Sequence, residues 1–338
     1  MIDSDYWRSD RFNLHPARRG FERLCRSGIR RRRLPDADFG GGGGVTGSVY
    51  AAHLLEAGNT VTVCARGRRL GELRDGGLIL QDAETGRRTA HKVGAVATPD
   101  GVACELVLVT VRRDQMVGTV PPLANIDADV MFLGNAAGLT ETLAGAIGKR
   151  TLFGFPAAGG VRKDAVVRFV LIGAQKTMLA DSDRKRSTRV RSLAQMFESA
   201  GFPATISTDP EGWLTAHAAF VAPIQLALCR VNVQPQRLAA DQALLTTMVR
   251  ATRQAFRALQ AAGNTEIPRN LRALYLLMPE RFAVWYWRKT LAGPHGELWF
   301  AAHTRASPEE MASLARALHA AVNATSRRAP DLEALLNS

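Results

Sequence analysis

Three glycines near the start of the chain have the spacing of a phosphate-binding loop. Gly42, Gly44 and Gly47 satisfy the pattern G-x-G-x-x-G. In such a loop the first glycine allows a tight turn, the second lets a pyrophosphate approach the backbone, and the third lets a helix pack against a strand. Because the loop lies within a run of glycines where other registers also fit, its interpretation depends on the residues around it.

The residues after the loop predict a helix followed by a strand. The helix runs from Val45 to about Ala57, and residues 60–66 read TVTVCAR, which is typical of a strand. The backbone N–H groups of Val45, Thr46 and Gly47 would point at a phosphate, because a helix N-terminus attracts anions. Together these elements make up most of a βαβ unit that binds a dinucleotide.

Arg66 occupies the position that distinguishes NAD from NADP. About twenty residues past the loop, an NAD-binding protein has Asp or Glu for the ribose 2′-OH. This chain has Arg66 there, with Arg68 and Arg69 behind it. An arginine pairs with a 2′-phosphate through charge-assisted hydrogen bonds, so the sequence favours NADP. The other interpretation is a solvated, arginine-rich turn.

The segment before the loop does not resemble the strand that such a site needs. A central parallel strand is an apolar run, whereas residues 34–41 contain Pro35 and two aspartates. Proline removes a hydrogen-bond donor and is unsuited to a central strand. Two interpretations stay open: residues 37–41 form a short, poor strand, or the natural first strand is missing from the sequence.

Short apolar runs alternate with helical patterns between residues 40 and 208. The strongest strand patterns are residues 60–66, 105–111, 129–134 and 150–155. Such an alternation indicates a parallel sheet covered on both faces. We also predict a hairpin over residues 77–93 and a second hairpin between residues 164–173 and 175–181.

The rest of the chain shows the apolar spacing of helices. From Asp209 and Pro210 onward, apolar residues recur at i, i+3 and i+4. The predicted fold class is an α/β Rossmann-type N-terminal domain followed by an all-α C-terminal domain. We divide the chain into a poorly ordered Arg-rich extension over residues 1–39, an NADP-binding domain over 40–208, and a helical substrate or dimerisation domain over 209–338.

Composition argues against several other classes of protein. The net charge of +13 suits an anionic cofactor as well as DNA. With no recognition helix, zinc pattern or interleaved aromatic and basic residues, we do not expect a nucleic-acid partner. No apolar run approaches the roughly 18–20 residues of a membrane helix. Four cysteines without a CxxC pair indicate free thiols in the cytoplasm and no metal site.

Four segments, in this order, resemble the ketopantoate reductase family (2-dehydropantoate 2-reductases). They are the glycine loop with its following strand, LVLVTVRRDQ at residues 106–115, FLGNAAG at 132–138 and GWLTAHAAFVAPI at 212–224. The resemblance runs from about Gly40 to at least Pro223. It implies a Rossmann-type domain and a helical domain with the active site in the cleft between them. It also implies NADPH as hydride donor and a ketopantoate-like 2-keto acid as acceptor, which is reduced to the 2-hydroxy acid.

The resemblance assigns roles to individual residues. The loop glycines would hold the pyrophosphate and Arg66 the 2′-phosphate. Arg112 stands where the family often has a lysine and could serve the same phosphate, with Gln115 beside it. Asn135 would face the nicotinamide and the substrate. From the residues alone, Arg112 could also be a solvated loop cation, and Asn135 could cap the helix that follows it.

The residue that should donate a proton is altered. Ketone reduction requires a proton donor for the developing alkoxide, and the family uses a lysine in a W-x-K context. This chain has Thr215 there, and a hydroxyl is a poor acid. His217 follows two residues later, but i and i+2 do not share a helix face. Asn135, Thr215 and His217 are the catalytic candidates, and Lys176 and His303 are weaker ones.

We therefore weigh four functions. The prediction we adopt is an NADPH-dependent, cytoplasmic 2-keto acid reductase, which could form a homodimer. The second is an NADPH-binding relative that has lost turnover with the lysine. The third is a degraded or mis-started product without a cofactor, and the fourth is a nucleic-acid binder that uses the Arg-rich N-terminus.

Overall fold

A computed structural model gives the fold of most of the chain. It describes residues 44–173, 175–293, 296–306 and 308–337, without the side chains of residues 298, 299, 303 and 306. The predicted extension over residues 1–39, the strand predicted at 37–41 and Gly42 lie outside the described residues.

Strands and helices alternate in the first part of the described chain, and helices alone follow. The strands are β1 Thr62–Cys64, β2 Leu78–Asp82, β3 Arg88–His91, β4 Gly94–Val96, β5 Leu106–Val109, β6 Asp129–Leu133, β7 Thr151–Phe155, β8 Ala158–Lys163, β9 Val166–Leu171, β10 Thr177–Asp181 and β11 Ala204–Ser207. The helices are α1 Val45–Glu56, α2 Gly67–Gly76, α3 Val120–Leu123, α4 Thr140–Ile147, α5 Thr188–Ser199, α6 Pro210–Arg230, α7 Pro235–Ala240, α8 Gln242–Ala261, α9 Arg269–Arg272, α10 Glu280–Ala292, α11 Ala302–Ala306, α12 Pro308–Asn323 and α13 Pro330–Leu336.

The main sheet has five strands in the order β11-β10-β7-β6-β5. Strands β5, β6 and β7 are parallel, whereas β10 runs antiparallel to β7. Every residue of β5 is buried, as is nearly all of β6, which is expected when both faces of a sheet are covered. The predicted class, a Rossmann-type α/β domain followed by helices, is confirmed.

Strand β1 lies apart from the main sheet and pairs in parallel with β4. Val63 of β1 and Leu108 of β5 nevertheless belong to the same core cluster. The usual strand order of a Rossmann sheet places the first strand between the second and the fourth. In the part of the chain that the structure describes, no strand is hydrogen-bonded between β1 and β5.

A second sheet contains four strands in the order β3-β2-β9-β8. The antiparallel pair β2 and β3 confirms the hairpin predicted over residues 77–93. The second predicted hairpin is wrong, because β9 pairs with β8 while β10 joins the main sheet. All five residues of β10 are buried, so this strand belongs in the centre of a sheet. The sequence of β8, AGGVRK, lacks the apolar alternation that would have predicted a strand.

Buried polar contacts attach α1 to the strands. The Tyr50 hydroxyl lies 2.6 Å from Thr177 Oγ1 and accepts a hydrogen bond from the Ala157 amide at 2.9 Å. Burial raises the pKa of Tyr50 to about 12, against the effect of both hydrogen bonds. Since α1 begins at the predicted glycine loop, these contacts fix the direction in which its N-terminus points.

Helix α6 begins where the sequence predicted, at Asp209 and Pro210. The Asp209 side chain accepts a hydrogen bond from the Gly212 amide at 3.1 Å and caps the helix. Contrary to the expectation from sequence, α6 is long and apolar enough to cross a membrane, with a mean hydropathy of 1.3. However, 61% of that window is buried inside the protein, and core helices pass the same test.

Arg189 forms ion pairs with one buried and one partly exposed aspartate at the end of the main sheet opposite the carboxyl end of β6. Arg189 of α5 donates from Nε to Asp181 Oδ2 at 2.8 Å and from Nη1 to Asp129 Oδ1 at 2.7 Å. Burial acts to raise the pKa of Asp181, but hydrogen bonds from Arg189 and Ser187 outweigh it and the pKa is lowered. For Asp129, burial prevails over Arg189 and the pKa is raised.

Candidate cofactor and active site

The candidate site lies at the carboxyl ends of β5 and β6. Because the two strands are parallel neighbours, the residues after each of them meet at one edge of the sheet, where ligands bind in open α/β folds. Arg112 follows β5 and Asn135 follows β6. Both residues thus follow the ends of neighbouring parallel strands, as the sequence predicted.

Residues 135–138, here called the Asn135 turn, are held in a defined conformation. Asn135 is 7% exposed, and its Oδ1 accepts a hydrogen bond from the Ala137 amide at 3.3 Å. Its side-chain nitrogen, Nδ2, has no hydrogen-bond partner among the described residues. Gly138 adopts φ +72°, a left-handed conformation that favours glycine. The turn thus leaves the Asn135 amide donor available to a ligand.

Glu211, in the first turn of α6, binds the Asn135 turn from the helical part of the chain. Its Oε1 accepts hydrogen bonds from the Gly138 amide at 2.7 Å and from Thr215 Oγ1 at 2.8 Å. Its Oε2 accepts a hydrogen bond from Thr140 Oγ1 at 2.5 Å. One carboxylate therefore connects the turn after β6, the start of α4 and α6.

Arg113 is a buried cation beside this turn. It is 6% exposed, and its Nη2 donates to the Ala137 carbonyl at 2.6 Å. Its backbone amide donates to Glu310 Oε1 of α12 at 3.3 Å. Burial lowers the pKa of Arg113, while the negative charges of Glu211 and Glu310 act to raise it. The site edge is thus bounded by carboxylates from two helices.

Several donors at this edge suit a dinucleotide. Thr110 Oγ1 and the Nε atoms of Arg112 and Arg113 are buried without a hydrogen-bond partner among the described residues, which is rare in native proteins. Arg112 Nε is also 3.6 Å from Asp114 Oδ1, beyond hydrogen-bond distance. No side chain caps α1 at Gly44, so its first N–H groups can receive a phosphate.

The arginines near the end of β1 differ in whether they are paired with an acidic side chain. Arg68, Arg69 and Arg162 all form ion pairs with Glu72. Arg66 is exposed at the start of α2 and has no ion pair with any described residue. Arg66 is therefore the arginine of this turn that is available to an anionic group such as a 2′-phosphate.

The first part of the chain matches a known family. Residues 41–184 match the family model described as ketopantoate reductase PanE/ApbA. This segment is less than half of the 338-residue chain, and over it the chain is similar to the ketopantoate reductase family. As its description states, this is a family of reductases.

Several solved structures share the fold of this chain over most of their length. A PanE/ApbA family ketopantoate reductase from Ralstonia eutropha JMP134 is 18% identical, with a TM-score of 0.69 over 89% of this chain and 96% of that one. A 2-dehydropantoate 2-reductase from Geobacter metallireducens GS-15 is also 18% identical, with a TM-score of 0.68 over 89% and 98%. D-mandelate dehydrogenase in complex with NADH is 14% identical, with a TM-score of 0.67 over 89% and 96%.

A search of curated protein sequences finds no match to the chain. At these identities the similar structures establish the fold, and the site must be judged from the residues present.

The structure separates the two proton-donor candidates on α6, Thr215 and His217. Thr215 is 6% exposed and donates its hydroxyl proton to Glu211. The His217 ring stacks on Trp213 at a centroid distance of 5.4 Å and lies 4.0 Å from the Phe155 ring. Thr215 and His217 thus have different surroundings, as expected for helix positions i and i+2.

The remaining candidates with described side chains, Gln115 and Lys176, are both exposed. Gln115 is exposed in a 3-10 helical turn, Arg113–Gln115. Lys176 is exposed just before β10; since β10 is antiparallel to β7, it lies at the same sheet edge as Phe155. The His303 side chain is outside the described residues. In the described part of the chain, no group of His, Cys, Asp and Glu side chains could hold a metal ion.

Sequence reasoning missed Glu211, Arg113 and Glu310. Glu211 resembles any acidic residue in the first turn of a helix, where it is favoured by the helix dipole. Arg113 adjoins Arg112, and nothing in the sequence states which of the two is buried. Glu310 is far from the site along the chain. A pair of adjacent arginines after a buried strand was the only available signal.

Proposed function

We propose that the chain is an NADPH-dependent reductase that converts a ketopantoate-like 2-keto acid to its 2-hydroxy acid. The observation that supports this most directly is the Asn135 turn, fixed at the carboxyl end of β6 with its amide donor free of described partners. The buried donors at the end of β5 and the uncapped start of α1 suit the cofactor. The family match supports a reductase, and NADPH and the 2-keto acid are our proposals.

The chain's own residues would bind and orient the reactants. The bound nicotinamide would supply a hydride. The loop around Gly42, with the N–H groups of Gly44, Val45, Thr46 and Gly47, would hold the pyrophosphate. Arg66 would pair with the 2′-phosphate, and Arg112, with Gln115 beside it, would also contact the cofactor.

Asn135 would then stabilise the reacting ketone. Its Nδ2 would donate a hydrogen bond to the keto oxygen, which becomes negative as hydride arrives, and such a fixed donor lowers the barrier. Since the Thr215 proton is engaged by Glu211, we propose that water protonates the alkoxide. His217 would act as a neighbouring aromatic contact. The reductase would therefore work without the lysine that the family resemblance implies.

A second function is favoured by the same hydrogen bond. If an acid must contact the alkoxide, the chain is a cofactor-binding relative without turnover. The absence of a lysine at position 215 supports this alternative, and the binding residues would be unchanged.

Replacing Arg66 by alanine is expected to weaken NADPH binding by about 10- to 100-fold, because a charge-assisted hydrogen bond contributes roughly 1.5–3 kcal/mol. NADH, which has no 2′-phosphate, should bind as it does to the parent. Isothermal titration calorimetry measures both. Arg68→Ala is the matched control, because Arg68 is exposed but paired with Glu72. An equal loss of NADPH and NADH affinity would contradict the role of Arg66.

The function itself is tested by binding and turnover on one preparation. We expect calorimetry to detect NADPH binding, and we expect NADPH oxidation with ketopantoate or with another member of a panel of 2-keto acids. Binding without turnover on any of them would favour the second function. No binding of either dinucleotide would contradict both.

Compartment and assembly are also part of the proposal. Cys64 and Cys229 are free thiols, which is compatible with a reducing cytoplasm. We propose a homodimer formed through the helical domain. Light scattering on the purified chain would measure its mass.

A further inference from the structure

The Glu211 side chain accepts hydrogen bonds from three different residues. Three donors converge on its two oxygens: the Gly138 amide, the Thr140 hydroxyl and the Thr215 hydroxyl. All three partners are donors, and the carboxylate oxygens accept from them. Two of the three donors belong to the segment that begins with the Asn135 turn.

The bond to Gly138 restrains the whole turn. Gly138 lies in a left-handed conformation, and a Cβ on it would be 3.6 Å from Ala317 Cβ of α12. On the other side of the turn, Arg113 binds the Ala137 carbonyl. The peptide group between Ala137 and Gly138 is therefore held on both sides: Glu211 accepts from its N–H, and Arg113 donates to its carbonyl. Asn135 lies two residues before the first of these two anchors.

The same geometry explains why position 215 does not hold a free cation. Glu211 and Thr215 are four residues apart on α6, the spacing at which Glu and Lys pair best. A lysine at 215 would place its ammonium beside Glu211, in competition with Gly138. A threonine instead adds a third donor without taking the carboxylate away from the turn.

We propose that Glu211 is a positioning residue for hydride transfer, fixing the Asn135 turn from α6, with Thr215 as its internal hydrogen-bond partner. This inference rests on the proposed function. Glu211 acts through Asn135 and does not touch the substrate. Its loss should therefore change kcat far more than the binding of NADPH.

The first test compares Glu211→Ala with Glu141→Ala. Glu141 is an exposed acid on α4 and has no role in the turn. We expect Glu211→Ala to lower kcat by about 100-fold, because misplacing a reacting group by about 1 Å costs that much. Glu211→Gln keeps one acceptor and should fall between parent and Ala. The Kd for NADPH should change less than about threefold. A Glu211→Ala enzyme with parental kcat would overturn the proposal.

A double-mutant cycle tests the link to position 215. Thr215→Lys alone should not raise kcat, because the new ammonium pairs with Glu211. Combined with Glu211→Gln, the lysine is released, and we expect the double variant to exceed the product of the two single effects by at least about tenfold. Simple additivity would overturn the coupling.

A readout without turnover separates this inference from the proposed function. Hydrogen–deuterium exchange at the Gly138 amide should speed up in Glu211→Ala and stay parental in Glu141→Ala. If the parent binds no NADPH, the proposed function fails, yet the exchange result still supports or overturns the restraint of the turn. If Glu211→Ala does not fold, Thr140→Val and Thr215→Val each remove one donor with little change in shape and should show a smaller change in the same direction.

Discussion

Replacing Asn135 by aspartate is expected to lower kcat/KM for a 2-keto acid by about 100- to 1000-fold, the usual cost of losing one fixed donor to a developing oxyanion. The substitution keeps Oδ1, so the hydrogen bond from the Ala137 amide can persist and the turn is preserved. It replaces the amide donor with a negative charge beside a negatively charged substrate. Steady-state kinetics over a range of keto acid concentrations measures the effect.

The matched variant is Asn135→Ala, which loses both the donor and the turn bond. If Asn135 acts on the substrate, Asp and Ala variants should both be severely impaired while the Asp variant keeps parental thermal stability. An Asp variant within a few-fold of the parent in kcat/KM would show that Asn135 only caps the helix after it.

Replacing Arg189 by methionine is expected to destabilise the protein by about 3–5 kcal/mol, since removing one partner leaves a buried charge uncompensated. Asp181 is 1% exposed and depends on Arg189 for two hydrogen bonds. The free energy of unfolding in urea at neutral pH measures the loss. Asp129→Asn is the control, because Asp129 is partly exposed and its removal should cost no more than about 1 kcal/mol. Equal losses in the two variants would contradict this description.

The same pair predicts a dependence on pH. The pKa of Asp181 is lowered in the folded protein, so its stabilising contribution is complete above the unfolded pKa, near 3.9. It is lost as the pH falls through the folded pKa. The stability difference between the parent and Arg189→Met should therefore narrow below about pH 4. Burial raises the pKa of Asp129, but Arg189 acts to lower it, so Asp129 contributes to the narrowing in the same direction as Asp181.

Elements with a strong local signal were predictable from the sequence. The buried runs that form β5, β6 and β7 are mainly apolar, as expected for strands of a sheet covered on both faces. Asp209 and Pro210 define the start of α6 because a capping side chain and a proline both favour a helix N-terminus. The place of Arg66 between β1 and α2 was predictable because the strand pattern at residues 60–66 ends there; its role stays a prediction.

Long-range partners were not predictable in this way. The burial of Arg113 rather than Arg112 goes with its contact to Glu310 of α12, and local spacing in the sequence does not indicate that contact. Glu211 contacts Gly138 across 73 positions. The pairing of β9 with β8 was missed because glycines in β8 do not predict a strand. The reason for a glycine at position 160 is visible only in the fold, where a Cβ would approach the Arg168 carbonyl oxygen to 2.2 Å.

The contact between Arg113 and Glu310 joins residues 197 positions apart. The part of the candidate site that includes Glu310 of α12 is therefore synthesised late, long after the strands of the main sheet. Since domains generally fold in the order in which they emerge, the parallel strands can assemble while the end of β5 still faces water. The candidate site at the end of β5 would be completed only when α12 docks, so we expect ligand binding there to report on the docking of α12 rather than on formation of the sheet.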